Sequence, residues 1–86
     1  MDIEENLSPS DIADAIRQAI LVAIPEAEVQ VSAGGIGHFE VRVQASVFEG
    51  LGRVKQQQLV YGAIAPLMSG NNAPVHAIDR LECLIA

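Results

Sequence analysis

The chain has 86 residues, enough for one hydrophobic core and no second lobe, and half of them are apolar. Only two Phe and one Tyr are aromatic, so the core must be built from aliphatic side chains and the surface has little with which to stack nucleic-acid bases. Eleven acidic against five basic residues give a net charge of -6, which opposes any function carried by neutralising phosphates.

The acidic start Met1–Glu5 carries no basic-then-apolar leader pattern, and the longest apolar run, Ala19 to Pro25, is far short of the roughly 20 residues that span a bilayer. A single cysteine, Cys83, has no partner for an internal disulfide. A cytoplasmic protein without a membrane segment is therefore expected. Residues 1–8 read as a flexible N-terminus and 9–86 as a single domain.

The first helix is signalled by Ser8-Pro9-Ser10-Asp11, where a Ser cap, a first-position Pro and a first-turn acid all suit free amides. Ile12, Ala13, Ile16, Ala19, Ile20, Ala23 and Ile24 form its apolar stripe, Asp14, Arg17 and Gln18 face water, and Pro25 stops it. Glu28 to Ser32 alternates with period two, Ala33-Gly34-Gly35-Ile36-Gly37 supplies a turn, and Phe39 to Ala45 alternates again, which predicts an antiparallel hairpin with its apolar residues at odd positions. A short turn or helical piece is expected over Phe48 to Gly52. A helix follows over Arg53 to Met68 with an inner stripe of Val54, Leu59, Val60, Ala63, Ile64, Leu67 and Met68. Pro66 should kink that helix or end it early, because its ring crowds the Gly62 carbonyl and removes a hydrogen bond. Ser69 to Pro74 is a loop and Val75 onward the last strand. There Val75, Ala77, Leu81, Cys83 and Ile85 share parity and Asp79 breaks the series, which predicts a bulge or register change near Asp79-Arg80. The order αββααβ describes an α+β two-layer domain with a mixed three-stranded sheet packed on helices.

The run Phe48-Glu49-Gly50-Leu51-Gly52-Arg53-Val54, continued by Lys55-Gln56-Gln57-Gln58-Leu59-Val60-Tyr61 and later by Val75-His76-Ala77, resembles the signature of the BolA family, F-x-G-x-x-R-V, L-V-Y and I/V-H-A. The glutamine-rich helix is similar to the short, IbaG-like bacterial branch of that family. The resemblance covers residues 10 to 78 and implies a fold like a class II KH domain. It does not imply a KH function, since Gly50-Leu51-Gly52 lacks the G-x-x-G spacing that clamps a nucleic-acid backbone.

In such a family the histidine of V-H-A serves as an iron ligand when the protein pairs with a monothiol glutaredoxin around a [2Fe-2S] cluster. The resemblance therefore implies His76 as a metal ligand, where the residues alone read first as a structural histidine at a strand start. A second ligand, His or Cys, comes from the hairpin loop in the family, usually a few residues before the His-Phe pair, where this chain has Gly34, Gly35 and Ile36; His38 is the ligand-competent side chain left there. Cys83, on the apolar parity of the last strand, reads as a small buried hydrophobe. No zinc spacing, phosphate loop or nucleophile elbow accompanies these residues, so no enzyme is expected.

The resemblance thus implies an adaptor in iron-sulfur trafficking or iron homeostasis, with the cluster shared with glutaredoxin and glutathione, no cofactor in the isolated protein, and a free form that is a monomer or a homodimer. The alternative is a DNA-binding regulator of transcription and stress response using the 53–61 helix, whose surface residues Arg53, Lys55, Gln56, Gln57 and Tyr61 would contact a protein partner or nucleic acid. Glutamines stand where DNA-binding relatives carry cations, so DNA affinity is expected to be weak. Two further departures from the family pattern are Gly52, where Ser is usual, and the C-terminus from Asp79 on, which lacks T-P-x-E-W.

Overall fold

In the computed structural model, which describes residues 8–86, Ser8 opens helix α1 (Pro9–Ala23) with a reciprocal cap. The Asp11 amide donates to Ser8 Oγ at 3.2 Å, and the Ser8 amide donates back to Asp11 Oδ2 at 3.1 Å. The expected flexible segment 1–8 lies outside the described residues except for Ser8, which this cap makes part of the domain. Bonds from the Ser8 side chain and backbone hold the Asp11 carboxyl below its ordinary value. A depressed carboxyl contributes stability above the ordinary carboxylate range that is lost as pH falls through its folded value. Loss of the Ser8 cap in Ser8→Ala should lower stability by about 1 kcal/mol in a thermal melt at neutral pH, and the share carried by the Asp11 carboxylate should vanish in acid.

Ile16 and Ile20 are the buried residues of α1, and Ile24, just past its end, continues their row. Ala23, placed on this stripe by periodicity, is exposed, because the helix ends there and the backbone swings to φ -133° at Ile24 ahead of Pro25. Strands β1 (Glu28–Ala33) and β2 (His38–Gln44) pair antiparallel in the register Val29 to Val43, Val31 to Val41 and Ala33 to Phe39. Phe39, Val41, Val43 and Ala45 are buried, so the odd positions face the core as the alternation requires.

The expected short helix is a single 3-10 turn at Ser46–Phe48, two residues earlier than its sequence signal. A side chain distant in sequence sets its place: the Glu26 carboxylate accepts from the Ser46 amide at 2.6 Å and from the Ser46 hydroxyl at 3.0 Å. Phe48 is fully buried as a result.

Helix α2 (Arg53–Met68) has the expected bounds. Its inner row is Val60 and Ile64, with Ala63, Leu67 and Met68 packed beside them. Val54 and Leu59 are instead 67% and 41% exposed, because each lies roughly a third of a turn away from that row. Pro66 does not end the helix early. It sits in the last turn on the exposed side, where only the carbonyl of exposed Gly62 loses its partner.

Strand β3 (Ala77–Leu84) pairs parallel with β2, giving a mixed sheet in the order β1-β2-β3, and α2 is the crossover that a parallel pair requires. The bulge is present: Phe39 pairs with Ile78 and Glu40 with Arg80, leaving Asp79 as the extra residue. It shifts parity, so Ile78, Leu81 and Cys83 pack on the core while Ala77, expected on the apolar face, lies beside His38. Both helices cover one face of the sheet. No helix among the described residues is long and apolar enough to cross a membrane.

Candidate functional site

Because β2 and β3 run parallel, both begin at the same end of the sheet. His38 is the first residue of β2 and pairs with Ala77, and His76 immediately precedes Ala77. The two histidines thus come from one end of the domain, beside the loop 34–37, although 38 positions separate them along the chain. His76 is exposed and His38 half-buried.

Gly37 joins them. Its carbonyl accepts from the His76 amide at 2.8 Å and from the Ala77 amide at 3.1 Å, which fastens the hairpin loop to the start of β3. Its φ of 74° is a conformation that suits glycine, and a Cβ there would lie 2.7 Å from His76 Cγ. The His76 ring rests against the bare glycine. Gly37→Ala should cost roughly 1–2 kcal/mol for the left-handed backbone and push the imidazole from its seat. Thermal unfolding and the His76 ring signals in NMR would show the two effects.

His38 is held from the other side. Its Nδ1 lies 2.9 Å from Oδ1 of Asp79, the bulge residue of β3. A carboxylate oxygen accepts, so Nδ1 is the donor in this contact, and in a neutral ring Nε2 is then the nitrogen without a proton. Ile36, 93% exposed, projects from the same loop. Among the described residues no group of three or more His, Cys, Asp or Glu side chains is arranged to hold a metal ion. The site offers two imidazoles.

The other candidate residues lie elsewhere. Cys83 pairs with Val43, six positions along β3 from Ala77, or about 20 Å away along the strand. Burial pushes its thiol up from the ordinary value, which disfavours the reactive thiolate. Arg53, Gln56 and Gln57 line a groove with Leu81, Glu82, Cys83 and Leu84 at the far end of β3, whereas Lys55 lines another with Leu51, Gln58 and Leu59. Gln56 is half-buried, and its amide donates to the carbonyls of Phe48 at 3.2 Å and Leu51 at 3.0 Å, tying the preceding turn to α2. Tyr61 is exposed midway along the helix. The C-terminal end of α2 is the one near the histidines, since the Val75 amide bonds to the Leu67 carbonyl at 3.1 Å. Arg53 is thus separated from them by the helix length, about 24 Å for 16 residues.

The cations are mostly engaged as well. Arg17 pairs with Asp14, and both Arg42 and Arg80 pair with Glu82. Among the described residues only Arg53 and Lys55 have no ion-pair partner. Retardation of duplex DNA at physiological salt should accordingly be weak and without sequence preference; tight selective binding, lost on changing Arg53 and Lys55 to Ala, is the opposite result.

Sequence reasoning missed Asp79 and Gly37 as site residues. The first showed only as a break in strand parity and the second as one glycine among several.

This geometry can be set beside known proteins. The BolA-like protein family model matches residues 5–82. The acid stress protein IbaG of Escherichia coli strain K12 is 36% identical over 64 residues, covering 74% of this chain and 73% of that protein. Among solved structures, BolA1 of Mus musculus superposes with a TM-score of 0.68 at 26% identity, covering 92% of this chain and 67% of that one. A bol-like protein of Babesia bovis gives 0.64 at 27% identity over 92% and 85%. The family match takes in the hairpin, the crossover helix and both histidines, and with this shared architecture it establishes that the chain belongs to the BolA family.

Proposed function

We propose that this protein is a non-enzymatic adaptor that pairs with a monothiol glutaredoxin and completes the ligand set of a shared [2Fe-2S] cluster through His76, with His38 as the second imidazole. The observation that carries the reading is the juxtaposition of two accessible imidazoles at one end of the sheet. Two donors are too few to enclose a metal, so further ligands must come from a second molecule, which suits a glutaredoxin cysteine and a glutathione thiol. Neutral imidazole beside thiolate lowers the negative charge on a cluster and raises its potential. The cluster is the cargo, in iron-sulfur trafficking or iron homeostasis. The chain's own part is positional: Gly37 seats His76, and the β2–β3 pairing brings His38 alongside.

The test is to mix the purified protein with a monothiol glutaredoxin, glutathione, iron and sulfide. Visible absorbance and circular dichroism should differ from those of the glutaredoxin homodimer, and native mass spectrometry should find one copy of each protein. A spectrum identical to that of glutaredoxin alone, with no heterodimer, would refute the adaptor reading.

A further inference from the structure

We propose that Asp79 is the positioning residue for His38, holding its ring as the Nδ1–H tautomer so that Nε2 is the nitrogen free to take a metal. The inference rests on the adaptor reading and adds to it a residue of this chain. Three observations meet here. His38 Nδ1 and Asp79 Oδ1 are 2.9 Å apart. Asp79 is the one residue that the bulge inserts between the pairs Phe39–Ile78 and Glu40–Arg80, so the irregularity in β3 falls where its carboxylate reaches the first residue of β2. A Cβ built at Gly34 would stand 4.0 Å from Asp79 Oδ2, an ordinary van der Waals contact, so the carboxylate lies beside the hairpin loop.

A free neutral histidine in water prefers to carry its proton on Nε2, which would block that nitrogen as a ligand. A carboxylate at Nδ1 reverses the preference. It also fixes the ring plane and makes the other nitrogen a better donor, the arrangement by which metal-bound histidines are ordinarily oriented from outside the ligand shell. The site therefore contains two differently prepared imidazoles, His76 seated on the glycine backbone and His38 braced by a carboxylate. The hairpin loop needs no ligand of its own at Gly34 or Gly35.

The free protein can be tested without metal. Long-range proton–nitrogen NMR in mildly alkaline solution should show His38 protonated on Nδ1 in the wild type and on Nε2 in Asp79→Ala, with His76 unchanged in both. Asp79 is half exposed, so the variant should keep its fold. A wild-type His38 protonated on Nε2 would overturn the proposal by itself, as would an Asp79→Ala variant with the wild-type tautomer. With glutaredoxin and glutathione, the cluster of Asp79→Ala should decay about tenfold faster. Equal lifetimes, with the tautomer changed, would overturn the metal-directing role. A wild type that assembles no cluster would refute the adaptor reading instead, and the tautomer measurement would still decide whether Asp79 sets the His38 ring.

Discussion

Replacing His76 by Ala should abolish the visible circular dichroism of the mixed glutaredoxin complex while leaving the isolated domain folded. The side chain is exposed and lies outside the strand ladder, and its removal takes nothing from the core. Surface changes of this kind usually fall within about 0.5 kcal/mol, so the melting curve of the free protein should hardly move. A missing ligand has a different scale of effect. It leaves an iron site open to water and thiol exchange. His38→Ala should weaken the cluster less. A His76→Ala complex with the wild-type spectrum and lifetime would show that His76 is structural and that the metal reading is wrong.

The largest effect on stability should come from Phe48→Ala. Phe48 is fully buried at the end of the 3-10 turn, in the same cluster as Ile16, Ile20, Val60 and Ile64. Its carbonyl also accepts from the Leu51 amide and from Gln56 Nε2, so the backbone around it is fixed and cannot collapse into the space left. Truncating a buried Phe costs about 3–5 kcal/mol, against a total of roughly 5–15 kcal/mol for a domain. The melting temperature should fall by roughly 12 °C or more. Val54→Ala and Leu59→Ala, on the apolar series of Val60 and Ile64 in the sequence but exposed in the fold, should each lose only a fraction of that. If the Val54 or Leu59 variant proved as damaging as Phe48→Ala, the side of α2 facing the sheet would have to be reassigned.

That contrast marks the boundary between what is local and what is not. The bounds of α1 were readable because Ser8, Pro9 and Asp11 satisfy amides within one turn and Pro25 blocks the next. The inward face of β2 was readable because side chains on a strand alternate regardless of what pairs with it. Even the β3 bulge was announced, since Asp79 interrupts a parity that must otherwise be continuous. The family signature, too, is written in two short runs of contiguous residues.

Burial of particular helical residues is a different matter. Periodicity gives the width of an apolar stripe but not its centre, and the sheet against which α2 docks decides that Val60 and Ile64 are inside while Val54 and Leu59 are not. The place of the 3-10 turn depends on Glu26, 20 residues away from Ser46. The site itself is a product of non-local pairing. The signature that joins Arg53 to Tyr61 with His76 in one pattern is split by the fold into opposite ends of α2, while His38 meets Asp79 across 41 positions. Which residues could ligate was determined by the sequence, because ligation is a property of side-chain type. Their neighbours were decided by the parallel register of β2 and β3, which no local signal encodes because it forms only when the crossover helix returns the chain to the sheet.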